Sequence, residues 1–238
     1  MMAIIDQAVE AILTARARTD RARSILVGIS GIDGSGKGYL TAQLAGALGE
    51  RVERVATINI DGWLNLPARR FSQVQPGEHF YEHAIRFAEM FDQLVLPLKA
   101  RRTHQVVADF AEETATAYRP HTYRFENVDV IMLEGIFLFK RAYRRHFDLA
   151  LWLDCSFETA LERALRRGQE GLPPAATIRA YETIYFPAQR IHFARDEPRA
   201  GADLIVPNDE RLTTARPSSG GPPPSAAGGA SAPAPGGA

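Results

Sequence analysis

A glycine-rich stretch near the start of the chain has residue types and a spacing that could bind phosphate. Gly31 is followed, after four residues, by Gly36 and Lys37. An apolar run at 25–29 precedes this stretch, and leucines at helical spacing follow it over residues 40–48. Glycines let successive backbone N–H groups turn toward phosphate oxygens, and the N-terminus of a following helix adds partial positive charge. Because a strand and a helix flank the stretch, we interpret it as a phosphate-binding loop (P-loop) for a nucleotide rather than a plain glycine turn.

The predicted phosphate site is a run of consecutive residues, one of which departs from the usual motif. The run comprises Gly31, Ile32, Asp33, Gly34, Ser35, Gly36, Lys37, Gly38 and Tyr39. The position after Lys37 usually carries Ser or Thr, whose hydroxyl binds the magnesium that accompanies the nucleotide. Gly38 leaves the backbone cradle and the lysine in place, but a water has to replace the missing protein ligand. This departure keeps open an interpretation in which the protein binds a nucleotide without catalysis.

Two carboxylates follow predicted buried strands. Asp61 comes after residues 54–60, and Glu134 comes after the apolar run 128–133. Ligands of open α/β sheets bind beyond the carboxyl ends of the strands, so both carboxylates are expected on the same rim as the P-loop. Phosphoryl transfer needs one group that orients or deprotonates an acceptor hydroxyl and another that holds magnesium. Asp61 suits the first role and Glu134 the second, with Asp61 as a further candidate metal ligand. A lone carboxylate after a strand would instead indicate a helix cap or a loop charge.

Two arginines lie four residues apart on a predicted helix. Ser156 is a candidate N-cap for this helix, and Arg163 and Arg167 project from the same face near its end. The segment 168–174 that follows contains glycines and prolines and predicts a break in the helix. Cations ahead of such a loop suit a lid that closes over phosphates and excludes water. The alternative is an exposed basic helix end that is favoured by the helix dipole, and the residues alone leave both interpretations open.

The composition is that of an ordinary globular protein. The chain has 238 residues and 45% hydrophobic side chains, and its 28 basic and 28 acidic residues give no net charge. This balance argues against nucleic acid or a membrane surface as a partner and favours a small-molecule ligand, with a homo-oligomer left open. Cys155 is the only cysteine, which excludes an intrachain disulfide. No apolar run has transmembrane length and no signal sequence is recognisable, so a cytoplasmic location is expected.

The pattern of apolar residues predicts one α/β domain, with a parallel sheet covered by helices on both faces and a small flap and lid. Residues 1–24 are expected to form an amphipathic helix that packs on a P-loop domain at 25–212. Residues 105–110 and 121–125 are expected to form the hairpin of the flap. Helices are predicted from about 82 to 96, stopped by Pro97, and over 177–193, bent at Pro187. Residues 213–238, rich in Pro, Gly, Ser and Ala, are expected to be a disordered tail.

The order of these features resembles the uridine kinase and phosphoribulokinase family of P-loop kinases. The similarity extends from residue 25 to residue 208, and its most specific parts are 61–63 (Asp-Gly-Trp), 130–136, 143–148 and 202–208. The resemblance implies transfer of a phosphoryl group from ATP, with Mg²⁺, to a hydroxyl of a small molecule, often a nucleoside 5′-hydroxyl. It implies Asp61 as the general base, Glu134 as a magnesium ligand, and Arg163 and Arg167 as the lid cations. Glu82 and His83 would correspond to an Asp-His pair that holds the sugar.

The chain departs from nucleoside-specific members of this family in the flap. Those members carry a Tyr and a His that contact the base, and the nearest equivalents here are Ala108 and Glu113. Uridine and cytidine are therefore expected to be poor substrates. A small polar alcohol or a sugar-like compound, held by Glu82, His83 and the lid arginines, is the expected acceptor. Two alternatives remain: a regulatory nucleotide-binding protein without turnover, and an enzyme similar to nucleoside monophosphate kinases. The glycine loop also resembles that of thymidylate kinases.

Overall fold

A parallel sheet forms the centre of the computed structural model, which describes residues 2–51, 54–168 and 171–214. The strands are β1 (Ile25–Gly31), β2 (Val55–Asn59), β3 (His104–Phe110), β4 (Arg119–Phe125), β5 (Val130–Gly135), β6 (Leu149–Asp154) and β7 (Leu204–Pro207). The helices are α1 (Met2–Ala17), α2 (Lys37–Gly49), α3 (Pro67–Arg70), α4 (Pro76–His83), α5 (Phe87–Met90), α6 (Leu96–Arg101), α7 (Arg141–Arg144), α8 (Phe157–Arg167), α9 (Pro174–Ala180), α10 (Phe186–Asp196) and α11 (Glu210–Thr214).

The five strands of the central sheet lie in the order β2-β5-β1-β6-β7, and every neighbouring pair is parallel. Alternate residues of β1 enter different cores. Ile25, Val27 and Ile29 pack with residues of α1 and α2, whereas Leu26 packs on the opposite face with residues of α5 and α10. Both faces of the sheet are therefore covered, which is why its inner strands are continuously apolar. The predicted α/β class is confirmed.

The flap is a separate antiparallel hairpin of β3 and β4. Its strands are paired so that Ala108 lies opposite His121 and Val106 lies opposite Tyr123. Residues directly opposite each other in such a pair point to the same face, so these four side chains share one side of the flap. Tyr123 stacks on Trp63, which follows β2, with 5.6 Å between the ring centroids. This contact joins the flap to the rim of the sheet that carries Asp61.

A proline lies at the predicted end of one helix and inside another, and the structure contradicts the first of these predictions. Pro97 does not stop the predicted helix: helical backbone breaks at 84–86, begins again at Phe87 and continues through Pro97 to Arg101. Likewise, helical backbone runs from Pro174 through Pro187 to Asp196. In both cases a π-helical turn, Phe91–Val95 or Tyr181–Tyr185, lies just before the proline. The wider turn interrupts the regular hydrogen-bond ladder where proline lacks an N–H and would clash with a carbonyl, so the helix continues.

The two ends of the chain are described to different extents. In α1, Ala8, Val9 and Ile12 are buried against the sheet and α2. At the other end α11 extends to Thr214, so residues 213 and 214 are helical rather than part of the predicted tail. The rest of that predicted tail, 215–238, lies outside the described residues. None of the helices in the described ranges has the length and apolar character needed to cross a membrane.

A buried polar network connects α4, α7 and α10 behind the rim of the sheet. The Asp196 carboxylate accepts hydrogen bonds from the Tyr81 hydroxyl at 2.5 Å, from His192 Nδ1 at 2.7 Å and from the Arg141 backbone N–H at 2.9 Å. These bonds, which outweigh the effect of burial, lower the pKa of Asp196 to about 2. Burial lowers the pKa of His192 and keeps its imidazole neutral. The network fixes the position of α10 relative to α4.

We expect Asp196→Asn to destabilise the fold by about 1–3 kcal/mol, because the new amide places N–H groups where the network needs an acceptor. The melting temperature should fall by roughly 2–4 °C for each kcal/mol in a protein of this size. Asp6→Asn, an isosteric change at an exposed position of α1, is the control. Circular dichroism melting curves of both variants measure the effect. An unchanged melting temperature in Asp196→Asn would contradict a stabilising role of the network.

The same network predicts how stability depends on pH. As the pH falls below 6.5, His192 becomes protonated in the unfolded chain but stays neutral in the folded protein. The free energy of unfolding therefore falls. It falls further from about pH 4 toward pH 2, because Asp196 remains ionised in the fold when the unfolded carboxyl is already protonated. In Asp196→Asn the second decline should be smaller, and Asp209, whose hydrogen bonds also lower its pKa to about 2, contributes to the decline that remains.

Candidate active site

The P-loop joins β1 to α2 and leaves backbone donors available for an anion. Gly34 and Gly36 have φ angles of +75° and +94°, a left-handed conformation that a residue with a Cβ rarely adopts. In the described part of the chain, no side chain caps the N-terminus of α2, which begins right after Gly36. Uncapped N–H groups and the positive end of the helix dipole form an anion-binding site. The local geometry therefore fits the phosphate groups of a nucleotide.

Lys37 is the cation at the centre of this loop. Its ammonium group donates a hydrogen bond to the carbonyl of Ile32 at 2.9 Å. Burial lowers the pKa of Lys37, and the carboxylates of Asp33, Glu134 and Asp61 oppose this effect. Lys37 therefore lies close to Asp61 and Glu134, the two carboxylates that the sequence pattern assigns to phosphoryl transfer. A desolvated ammonium group binds phosphate oxygens more strongly than one exposed to water.

Asn59 connects the two predicted carboxylates. Asn59 and Glu134 are register partners on the adjacent strands β2 and β5, and the Asn59 amide donates to Glu134 Oε1 at 2.6 Å. The oxygen of the same amide accepts from the backbone N–H of Asp61 at 2.7 Å. The structure thereby brings Asp61 and Glu134 to one rim of the sheet beside Lys37. Asn59 is a site residue that sequence reasoning missed, although its place at the end of a strand was a signal for it.

The surroundings of both carboxylates favour the neutral acid. Burial raises the pKa of Glu134, which is 9% exposed, and nearby Lys37 opposes the shift. Asp61 is open to the cavity, yet the enclosing protein raises its pKa, and Lys37 again opposes. A carboxyl with a raised pKa is a better proton acceptor once ionised. These environments suit carboxylates whose negative charge is balanced by a bound cation.

The donor set on this rim fits magnesium. Carboxylate oxygens, water and nucleotide phosphates are the ligands that Mg²⁺ uses in such sites, and one or two carboxylates suffice. Glu134 and Asp61 supply them, and Thr41 donates to Glu134 Oε2 at 3.4 Å. Within the described ranges, no three His, Cys, Asp or Glu side chains cluster as a metal-binding group. The site therefore fits a metal that arrives with the nucleotide.

Gly38→Ser is expected to lower the Mg²⁺ concentration needed for half-maximal activity several-fold, because it restores a hydroxyl ligand. There is room for the change, since a Cβ at Gly38 would lie 3.6 and 3.7 Å from the Glu134 carboxylate oxygens. Gly46→Ser is the matched control, because a Cβ at this position of the same helix would meet nothing within 4 Å. Magnesium titrations of ADP release compare the variants. If Gly38→Ser folds but loses activity while Gly46→Ser keeps it, glycine is required at position 38.

The two arginines of α8 both reach the P-loop, in different ways. The guanidinium of Arg163 donates to the carbonyl of Ser35 at 3.0 Å and to that of Asn208 at 2.9 Å, so it holds the P-loop against the loop after β7. Arg167 lies farther along the helix, 3.7 Å from the Asp33 carboxylate, which also accepts a hydrogen bond from the Tyr181 hydroxyl. Both arginines line the cavity. Their action as lid cations stays a prediction.

The P-loop and the carboxylate rim open into a cavity of about 960 Å³. We call the part of its lining that lies outside the P-loop and the carboxylate rim the acceptor end, and it includes Arg70, Phe80, Phe110, Glu112, Glu113, His121, Tyr123, Tyr185 and Gln189. The structure does not bring Glu82 and His83 among the described residues that line this cavity. Glu82 is exposed and paired with Arg195 at 2.8 Å, and the ring of His83 packs on His79 at 4.6 Å.

The acceptor end contains residues that sequence reasoning missed. His121, Tyr123 and Phe125 alternate along β4, and this period of two was a signal that they share a face. Arg70 and Gln189 left no comparable signal, because they lie on α3 and α10 and come to line one cavity only in the folded chain. Of the two residues that replace the base-contacting Tyr and His, Glu113 lines the cavity and Ala108 is buried opposite His121.

The fold and the site together define a P-loop kinase. The chain belongs to the phosphoribulokinase and uridine kinase family, whose sequence model matches residues 26–171, more than half of the chain. It is therefore a phosphotransferase by family. No curated protein matches the sequence.

Several solved structures are similar to this chain. A possible uridine kinase from Bacillus stearothermophilus is 25% identical, with a TM-score of 0.67 over 85% of this chain and 96% of that one. A putative fructose transport system kinase from Silicibacter sp. TM1040 is 20% identical, with a TM-score of 0.67 over 85% and 98%. D-glycerate 3-kinase from Cryptococcus neoformans is 14% identical, with a TM-score of 0.59 over 86% and 96%. The last two support the fold alone.

Proposed function

We propose that this protein transfers the γ-phosphoryl group of ATP to a hydroxyl of a small molecule. The observation that carries the proposal is that Asn59 joins Asp61 to Glu134 beside Lys37, on the lining of the cavity that also includes the acceptor end. A protein that only bound nucleotides would need the P-loop and Lys37. It would need neither a carboxylate facing an acceptor nor a walled cavity beyond it. These features favour a kinase over a regulatory nucleotide-binding protein.

The proposed reaction gives each residue of the site a task, and it gives Asp61 two. The P-loop N–H groups and Lys37 bind the outer phosphates, and Arg167 faces them from α8. Glu134, together with Asp61, would hold Mg²⁺, which neutralises charge on the phosphate oxygens. The acceptor hydroxyl lies near Asp61, and its oxygen forms a bond to the γ-phosphorus. The bond from this phosphorus to the β–γ bridging oxygen breaks, ADP leaves, and the hydroxyl proton passes to the Asp61 carboxylate.

The acceptor is not expected to be uridine, although the family includes uridine kinases. Ala108 and Glu113 stand where the resemblance places ring-binding groups, and Glu113 lines the cavity as a carboxylate. A monophosphate acceptor, as in the alternative of a nucleoside monophosphate kinase, is also disfavoured, because its phosphate would meet Asp61 and Glu113 at the acceptor end.

The test is ADP release from ATP by the purified full chain in the presence of Mg²⁺. Nucleosides, sugars, vitamins and nucleoside monophosphates are compared as acceptors. We expect release that depends on a compound with a free hydroxyl, together with the matching phosphorylated product in a mass spectrum. ATP binding without acceptor-dependent release would support the regulatory alternative. Preferred use of a monophosphate would support the other alternative.

A further inference from the structure

Two buried polar side chains at the acceptor end have no part in the reaction as proposed. Arg70 is 2% exposed and Gln189 is 1% exposed, and both line the cavity. Among the described residues, Arg70 Nε and Gln189 Oε1 are buried and have no hydrogen-bond partner. A buried polar atom that makes no hydrogen bond costs roughly 1–3 kcal/mol. Because both atoms belong to residues that line one cavity, a bound molecule is the natural source of their partners.

The chemistry of these atoms restricts that molecule. A guanidinium only donates hydrogen bonds, whereas an amide oxygen only accepts them. The missing partner of Arg70 is therefore an oxygen acceptor, and the missing partner of Gln189 is an O–H or N–H donor. A hydroxyl group can serve as either partner. A carboxylate or a phosphate dianion could satisfy Arg70, but it has no hydrogen to offer to Gln189.

The charges at this end also argue against an anion. Asp61 and Glu113 line it together with Arg70. Burial lowers the pKa of the Arg70 guanidinium, and both carboxylates oppose this effect. Arg70 also donates to the backbone carbonyl of Glu113. Glu112 is paired with Arg119 at 2.7 Å. The positive charge of Arg70 is thus compensated within the protein, so an incoming anion would meet two carboxylates and one guanidinium.

The remaining walls are aromatic. Phe80 and Tyr185 pack edge to face at 5.1 Å on one side, and Phe110 and Tyr123 lie on the flap. Apolar ring faces pack well against the C–H groups of a saturated ring, while a few polar groups fix its orientation. His121 packs against both Phe110 and Tyr123, at 5.2 and 4.5 Å.

We infer that the acceptor is an uncharged polyhydroxylated compound, a sugar or a cyclitol, whose non-reacting hydroxyls bind Arg70 Nε and Gln189 Oε1 while another hydroxyl faces Asp61. The inference rests on the proposed function and names its substrate class. Arg70 and Gln189 then determine specificity, in place of Glu82 and His83.

The first test compares matched acceptors on the full chain. Glucose is compared with glucuronate and glucose 6-phosphate, ribose with ribonate and ribose 5-phosphate, and myo-inositol with uridine. Calorimetry with a non-hydrolysable ATP analogue and Mg²⁺ measures binding, and ADP release measures turnover. We expect a neutral sugar or cyclitol to bind at least about tenfold more tightly than its charged counterpart. This factor corresponds to the contribution of one charge-assisted hydrogen bond. Tighter binding of a charged member or of uridine would overturn the inference.

The second test uses Gln189→Met and Arg70→Lys, with exposed Arg69→Lys as the control. We expect the KM for the neutral acceptor to rise about 10- to 100-fold in the first two variants, with the KM for ATP unchanged. If Gln189 were merely structural, replacing its unpaired amide by an apolar chain would leave that KM unchanged and keep or raise the melting temperature. That result would overturn the inference even if Arg70→Lys failed to fold.

The outcomes separate this inference from the proposed function. Binding of a neutral sugar or cyclitol without ADP release supports the acceptor class and contradicts the kinase. ADP release with an anionic acceptor supports the kinase and contradicts the acceptor class. If no neutral member binds or reacts while the ATP analogue still binds, the acceptor class is wrong.

Discussion

Lys37→Ala is expected to lower kcat/KM for ATP by about 100- to 1,000-fold, as for the loss of one electrostatic group in a water-poor site. Lys37 is half-buried and hydrogen-bonded to the carbonyl of Ile32, so its ammonium is held near the proposed place of the outer phosphates. Its removal also takes away a cation that offsets the charge of Asp33, Glu134 and Asp61, and leaves Arg167 near Asp33. The incoming phosphates would then be repelled. Calorimetry with ATP and assays of ADP release measure the two consequences separately.

Lys99→Ala is the control for this variant. Lys99 pairs with Asp148 at 2.9 Å, so its removal affects stability and not phosphate binding. Unchanged ATP affinity and unchanged turnover in a folded Lys37→Ala protein would refute the assignment of the P-loop.

Asp61→Asn is expected to reduce turnover by about 100- to 10,000-fold, the usual contribution of a general base. The change is isosteric and keeps the hydrogen bond that the backbone N–H of residue 61 donates to the side chain of Asn59. ATP affinity should stay nearly the same, because Lys37 and the P-loop amides remain. Single-turnover assays with the identified acceptor, beside calorimetry with ATP, measure the split between chemistry and binding.

Magnesium dependence separates the two roles assigned to Asp61. A loss of turnover that persists at saturating Mg²⁺ indicates proton transfer, whereas a loss that high Mg²⁺ restores indicates a metal ligand. Asp92→Asn, at an exposed helical position, is the isosteric control. Full activity of Asp61→Asn with any acceptor would remove Asp61 from the catalytic assignment. If the protein were a regulatory nucleotide-binding protein, Asp61→Asn would have no effect in either assay.

The strands, the P-loop and the class of fold could be predicted from the sequence because their signals are local. Continuous apolar runs mark strands covered on both faces, and glycines at fixed spacing mark a loop with left-handed backbone. Ser156 shows the same principle: its side chain accepts from the backbone N–H of Thr159, as an N-cap should. The rim position of Asp61 and Glu134 followed from the rule for parallel sheets, which needs no knowledge of strand order.

Proline gave a misleading local signal. Pro97 breaks a regular α-helix, yet here a π turn before it removes the conflict. Such a turn is held by packing of the residues around it: Phe91, Leu94 and Val95 are fully buried. The sequence pattern carries no mark of this packing, so the end of the helix could not be placed.

The sequence by itself predicted the P-loop and the two carboxylates that share its rim, since each of those groups belongs to one strand end or one loop. Only the tertiary structure decided which side chains line the rest of the cavity. Glu82 lies two residues after Phe80 on α4, and residues two apart point to different sides of a helix, so Phe80 faces the cavity and Glu82 faces solvent. Arg70 and Gln189 lie on separate helices, α3 and α10, which both pack on α4. Such distant pairs follow from the whole core and not from any local pattern.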